Sequence, residues 1–193
     1  MTKRQQAVAF FINQGWTSAQ ACGLVANLEA ESGLRPDAVG DGGAAYGVAQ
    51  WHPPRQQNFY AFTGHDIRGS TLDEQLAFVV WELNHSEKNA GDALRDCSTA
   101  AEAATVICKL YERPADPVGD SVKRAALAER IHAEYGGVEG VPAAPEQPTL
   151  APAGPAAPLP PKPVTGGAMG ALALLQMFGP ILSGLIPQSA VYP

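Results

Sequence analysis

A chain of 193 residues has room for one ordinary domain and an appendage, since domains run to about 100–200 residues. Thirteen basic against nineteen acidic residues leave a net charge of −6, the wrong sign for gripping nucleic acid through many phosphates. Three cysteines (Cys22, Cys97 and Cys108) without CxxC spacing offer neither a disulfide framework nor a zinc site.

The first apolar stretch, Ala7 to Ile12, is too short for a secretory signal core of about 7–15 residues with its cleavage site. Synthesis in a cytoplasm is therefore expected. Ala7, Phe10, Phe11 and Gln14 begin an amphipathic helix that Gly15 ends. Thr17-Ser18 caps a second helix, with Ala19, Cys22, Leu24, Val25 and Leu28 on or near its inner face. The glycine-rich stretch Gly40 to Trp51 leaves space for one short hairpin. A third helix is expected over Leu72, Leu76, Phe78, Val79, Val80 and Leu83. A fourth spans Ser98 to Tyr111 and stops before Pro114. The last covers Asp120 to Tyr135 and ends at Gly136-Gly137. The fold expected over residues 1–140 is mainly α, with at most a small β-hairpin.

The chain changes character after residue 140. Nine of its seventeen prolines fall between Pro142 and Pro163, and only five lie before residue 141. Proline fixes φ and removes backbone donors, so residues 141–163 read as an extended Ala/Pro-rich linker. Residues 164–193 carry no charge, and from Ala168 to Pro187 only Gln176 and Ser183 are polar. Twenty apolar residues in a helix match a bilayer core of about 30 Å. Pro180, the glycines Gly167, Gly170, Gly179 and Gly184, and the lack of a flanking basic cluster speak against a span. The same glycines suit close helix contacts. A C-terminal hydrophobic helix is expected, with membrane contact, docking onto other proteins and homo-oligomerisation all open.

Chemistry concentrates between Asn27 and Trp51. Glu31 stands at a helix end, before Gly33 and Pro36, and is followed by a loop with Gly40, Gly42, Gly43 and Gly47. The negative end of a helix dipole disfavours an ionised carboxyl, and apolar neighbours such as Trp51 would add to that. Such a group suits general acid work in glycosidic cleavage. Tyr46, Gln50 and Trp51 suit sugar rings through stacking and hydrogen bonding, although Trp51 also reads as core. Glu29 points about 200° away from Glu31 on an ideal helix, so the two cannot form an acid–base couple. His52, His65, His85 and His132 are scattered, and no metal or other cofactor is expected. Cys22 and Cys108 fall on apolar faces and read as core.

The run Glu31-Ser32-Gly33-Leu34-Arg35-Pro36, then Gly40-Asp41-Gly42-Gly43, then Tyr46-Gly47-Val48-Ala49-Gln50-Trp51, closely resembles the phage tail lysozyme family of the lysozyme-like superfamily. Asp73 to Leu83 resembles that family's next helix, and Tyr111-Glu112-Arg113-Pro114-Ala115 its later signature. The resemblance implies a lysozyme-like domain that cleaves the β-1,4 bond between N-acetylmuramic acid and N-acetylglucosamine in peptidoglycan glycan strands. Glu31 matches the general acid of the Glu-Ser-Gly motif, and Asp41 stands where a second carboxylate would act. Gln50 and Tyr46 are the implied substrate contacts. Tyr111 either faces the cleft or caps the core beside Pro114. The linker and tail have no counterpart in that domain. An active head on a tether fits a virion-associated enzyme, made in the host cytoplasm, that opens the cell wall locally as the phage delivers its genome. Residues 164–193 would then seat in tail, portal or internal core proteins. A free or membrane-tethered endolysin, a lytic transglycosylase and a non-catalytic glycan-binding virion protein are the alternatives.

Overall fold

The computed structural model describes residues 1–136; the expected linker over 141–163 and the C-terminal segment 164–193 lie outside the described residues. Seven α-helices and one two-stranded hairpin follow in the order α1 (Lys3–Asn13), α2 (Ser18–Ser32), β1 (Val39–Gly40), β2 (Ala45–Tyr46), α3 (Pro53–Thr63), α4 (Leu72–Asn84), α5 (Lys88–Arg95), α6 (Ala100–Ile107) and α7 (Pro117–Tyr135). The mainly α architecture with a single small hairpin is the one the apolar periodicity implies.

Capping sets the helix starts. At Thr17 the side-chain hydroxyl accepts from the Gln20 N–H, and Gln20 Oε1 accepts in return from the Thr17 N–H. Thr71 with Glu74 and Thr99 with Glu102 repeat the reciprocal arrangement at α4 and α6. Each cap satisfies amides that the helix itself leaves unpaired, worth about 1 kcal/mol. Thr2 caps α1 in the simpler way, accepting from Gln5 N–H.

Helix α2 is the central element. Cys22, Leu24, Val25, Ala26 and Leu28 are fully buried on it, and it packs against α1, α6 and α7. Gly23 makes the α6 approach possible. A Cβ there would lie 2.5 Å from Ala103 Cβ and 2.7 Å from Ala104 N. Beside it Asn27, also fully buried, donates to Gly23 O and Ala104 O at 2.9 and 3.0 Å. Because backbone stands in the way, Gly23→Ala forces α2 and α6 apart. We expect it to cost about 1–3 kcal/mol of stability, read from the midpoint of urea unfolding; an unchanged midpoint would show that the two helices have slack.

The structure adds two helices to the five the periodicity marks. α3 opens on Pro53-Pro54, where missing amides cost nothing, yet only Phe59 of its residues is buried. α5 is eight residues long and buries Ala90, Gly91 and Leu94 alone. In α3 too few apolar positions recur for periodicity to expose it, and α5 is shorter than the window over which a helical period can be read. The expected helix from Ser98 to Tyr111 also divides. α6 ends at Ile107, and one widened π-type turn, Cys108–Glu112, carries the chain to Arg113 with φ 54°. The last helix starts at Pro117, earlier than expected, behind the capping side chain of Asp116.

Candidate active site

Helix α2 stops at Gly33, whose φ of 66° needs the left-handed region, and Leu34 follows at 56°. This double reversal turns the chain under the helix end and leaves Glu31 in the last turn. Ser32 secures the reversal, its hydroxyl donating to Leu28 O and Val48 O at 3.0 and 2.8 Å. Gln75 of α4 clamps the same loop from the other side. Its Oε1 accepts from the Val48 N–H at 2.8 Å, while Nε2 donates to Pro36 O and Ser70 Oγ. Gln75 is fully buried, so these bonds offset the full desolvation of its amide.

Glu31 is partly open to solvent, its side chain 22% exposed, and its Oε1 accepts from Arg124 Nη2 at 2.6 Å. Arg124 is 8% exposed and also donates through Nη1 to the buried Asn27 Oδ1 at 3.0 Å. Glu31 is thus held by an ion pair with a nearly buried guanidinium. Glu29, on the other side of the helix, is taken by a bidentate pair with Arg4 at 2.6 and 2.8 Å.

The remaining sequence candidates separate into two groups. Asp41, Tyr46 and Gln50 belong to the hairpin. β1 and β2 pair antiparallel, Val39 with Tyr46 and Gly40 with Ala45, and Asp41 lies in the turn between them. Its side chain is 66% exposed and its Oδ2 is 3.0 Å from His52 Nε2. Gln50 turns inward, donating to Gly47 O at 2.9 Å and Ala38 O at 3.3 Å. The half-buried Tyr46 ring has the Arg68 guanidinium over it at 5.0 Å.

Trp51 and Tyr111 are wholly buried and present no ring face to solvent. Both converge on a carboxylate that the sequence reading passed over, Glu82 of α4. Trp51 Nε1 and the Tyr111 hydroxyl donate to Glu82 Oε2 at 2.9 and 2.6 Å, and Arg55 adds a bidentate pair at 2.7 and 2.8 Å. The Arg55 guanidinium also sits 4.5 Å above the Tyr111 ring. Burial and the adjoining Glu82 charge hold the Tyr111 phenol far above its ordinary titration range.

A third carboxyl completes the cluster. Glu112 ends the π-type turn, with its Oε1 buried and without a hydrogen-bond partner. Burial pushes this carboxyl up to about 8; the negative charge of Glu31 adds to the shift, and the guanidinia of Arg55 and Arg124 oppose it. Among the described residues no three His, Cys, Asp or Glu side chains gather as metal ligands would. Chemically, the site offers a partly open carboxyl on a helix end and, within electrostatic reach of it, a second carboxyl whose Oε1 is buried without a donor.

Glu82 and Arg124 each carry a signal in the sequence. Glu82 follows Gln75 and Val79 at helical spacing on an inner face, and Arg124 precedes Ala128 and Ile131 in the same manner. A charge in core register implies a buried partner.

Residues 2–135 match the phage tail lysozyme family. The chain is also similar to Morphogenesis protein 1 of Bacillus phage B103, 25% identical over 125 residues. That alignment takes in 58% of this chain and 34% of the relative, so the chain spans about a third of that protein's length.

Proposed function

The chain belongs to the phage tail lysozyme family, and on that premise we propose that it cleaves peptidoglycan between N-acetylmuramic acid and N-acetylglucosamine, with Glu31 as general acid. The observation that carries this reading is the position of Glu31. It lies on the last turn of the central helix, open on one side, with its other side fixed by Arg124. A group so held keeps its geometry while a glycan docks, which general acid catalysis requires. The glycine-rich hairpin with Asp41, Tyr46 and Gln50 supplies the adjoining polar surface. Asp41, exposed at the hairpin tip, serves as the second carboxylate in a hydrolytic route.

Residues 141–163 act as a tether and residues 164–193 as the segment that anchors the enzyme in the virion, for local wall penetration during genome delivery. Flotation of the full chain with liposomes, beside a version ending at residue 163, tests lipid as the anchor's environment. Failure of the full chain to float would leave virion proteins as its seat.

Mass spectrometry of muropeptides released by the full chain from purified sacculi tests the reaction. Free reducing muramic acid ends are the expected products. Ends lighter by one water, the 1,6-anhydro form, would make the enzyme a lytic transglycosylase and remove Asp41 from the chemistry. No release at all would overturn the enzymatic reading in favour of a glycan-binding virion protein.

A further inference from the structure

The Glu31 side chain has one hydrogen-bond partner among the described residues, Arg124, and that long side chain does not orient itself. Building on Glu31 as the proposed general acid, we propose that Asn27 is a positioning residue for the reaction. Acting through Arg124, it turns the guanidinium so that Oε1 of Glu31 is held and Oε2 is left to the glycan.

Asn27 and Glu31 stand at i and i+4 on α2, so their side chains share one face of the helix. Arg124 reaches across from α7 and spans the two. Its Nη1 donates to Asn27 Oδ1 at 3.0 Å and its Nη2 to Glu31 Oε1 at 2.6 Å. A planar guanidinium held at both Nη atoms keeps little freedom to swing. Held by Glu31 alone, it would follow the motion of a carboxyl that is itself partly open to solvent.

The Asn27 amide can act as the fixed end because its own orientation is determined. Its Nδ2 donates to Gly23 O at 2.9 Å and to Ala104 O of α6 at 3.0 Å. Carbonyls only accept, so the amide nitrogen must face them and Oδ1 must face Arg124. Asn27 is fully buried, and the close approach of α6 at Gly23 sets how far Ala104 lies from it. The contacts thus run from the α6 backbone through Asn27 and Arg124 to Glu31. Oε1 accepts from Arg124 whether or not Oε2 carries a proton, so the hold leaves the acid its task.

The test is steady-state turnover of soluble peptidoglycan strands by the full chain, by Asn27→Ser, by Arg124→Met and by the double variant. Serine suits position 27 because its hydroxyl can bond back to Gly23 O, as Ser32 does to Leu28 O, yet is too short to reach Arg124. Ala104 O keeps the Cys108 N–H, so that carbonyl is not stranded. Asn27→Ser should lower kcat by ~10–10²-fold and leave KM within about twofold, the mark of a displaced acid rather than a lost glycan contact. In the Arg124→Met background it should lower kcat no further, because the residue it acts through is gone.

Equal kcat losses in the two backgrounds overturn the inference. So does an Asn27→Ser enzyme that melts lower but turns over at the wild-type kcat, since Asn27 would then serve packing alone. Should a variant not fold or turn over too slowly to measure, Arg124→Lys decides. It keeps a charge beside Glu31, but one ammonium cannot reproduce the fork that spans both oxygens. Its kcat must fall ~10-fold or more with KM little changed, and an undiminished kcat overturns the inference. Each of these results leaves the proposed function standing, whereas an inactive wild type overturns both.

Discussion

Glu31→Gln should reduce muropeptide release by ~10²–10⁴-fold, the usual contribution of a positioned general acid. The amide keeps an oxygen for Arg124 Nη2, now 2.6 Å from Glu31 Oε1, so the helix end should hold its shape. Sedimentation with sacculi should show undiminished binding, which separates lost proton transfer from a lost cleft. Release by the variant at the wild-type rate would remove Glu31 from the chemistry. Reduced binding with reduced release would make it a substrate contact instead.

Replacing Glu82 should have the largest effect on stability. Its side chain is wholly buried and accepts from Trp51, Tyr111 and twice from Arg55. Glu82→Ala strands the Arg55 cation and two buried donors at once, and breaking such a pair from one side costs about 3–5 kcal/mol. That is a large share of the 5–15 kcal/mol by which domains are stable. Urea unfolding followed by tryptophan fluorescence measures it. Adding Arg55→Ala should cost less than Arg55→Ala alone does, since the partner charge is already gone. Simple additivity of the two would show that the pair is not coupled.

The sequence was most readable where the cause of structure is local. Thr17 with Gln20, and Gly33 before Pro36, mark the two ends of α2 without any knowledge of its neighbours. The placement of Glu31 at a helix terminus follows from those marks alone. What surrounds Glu31 does not, because Arg124 is 93 residues away along the chain. The same limit applies to Trp51 and Tyr111. Each was legible as core or cleft, and only the position of Glu82 between them, 31 and 29 residues distant, decides for the core. Helices α3 and α5 escaped notice for a different reason. α3 buries only Phe59 and leaves almost no periodic trace, while α5, although two-sided, runs for only eight residues, too few for a helical period to stand out. Glu112 stands out only as part of the Tyr111-Glu112-Arg113 motif, since a carboxyl oxygen buried without a partner has no sequence signature.

The Gln75 amide has a mechanical consequence. By gripping Pro36, Ser70 and Val48 it ties both limbs of the hairpin loop to α4, and Ser32 ties Val48 to α2 as well. Compliance is left to the tip alone, where Asp41, Gly42 and Gly43 all adopt positive φ and none is buried. The two carboxyls proposed to attend the glycan thus differ in stiffness: Glu31 is mounted on a braced strut, and Asp41 rides on a spring.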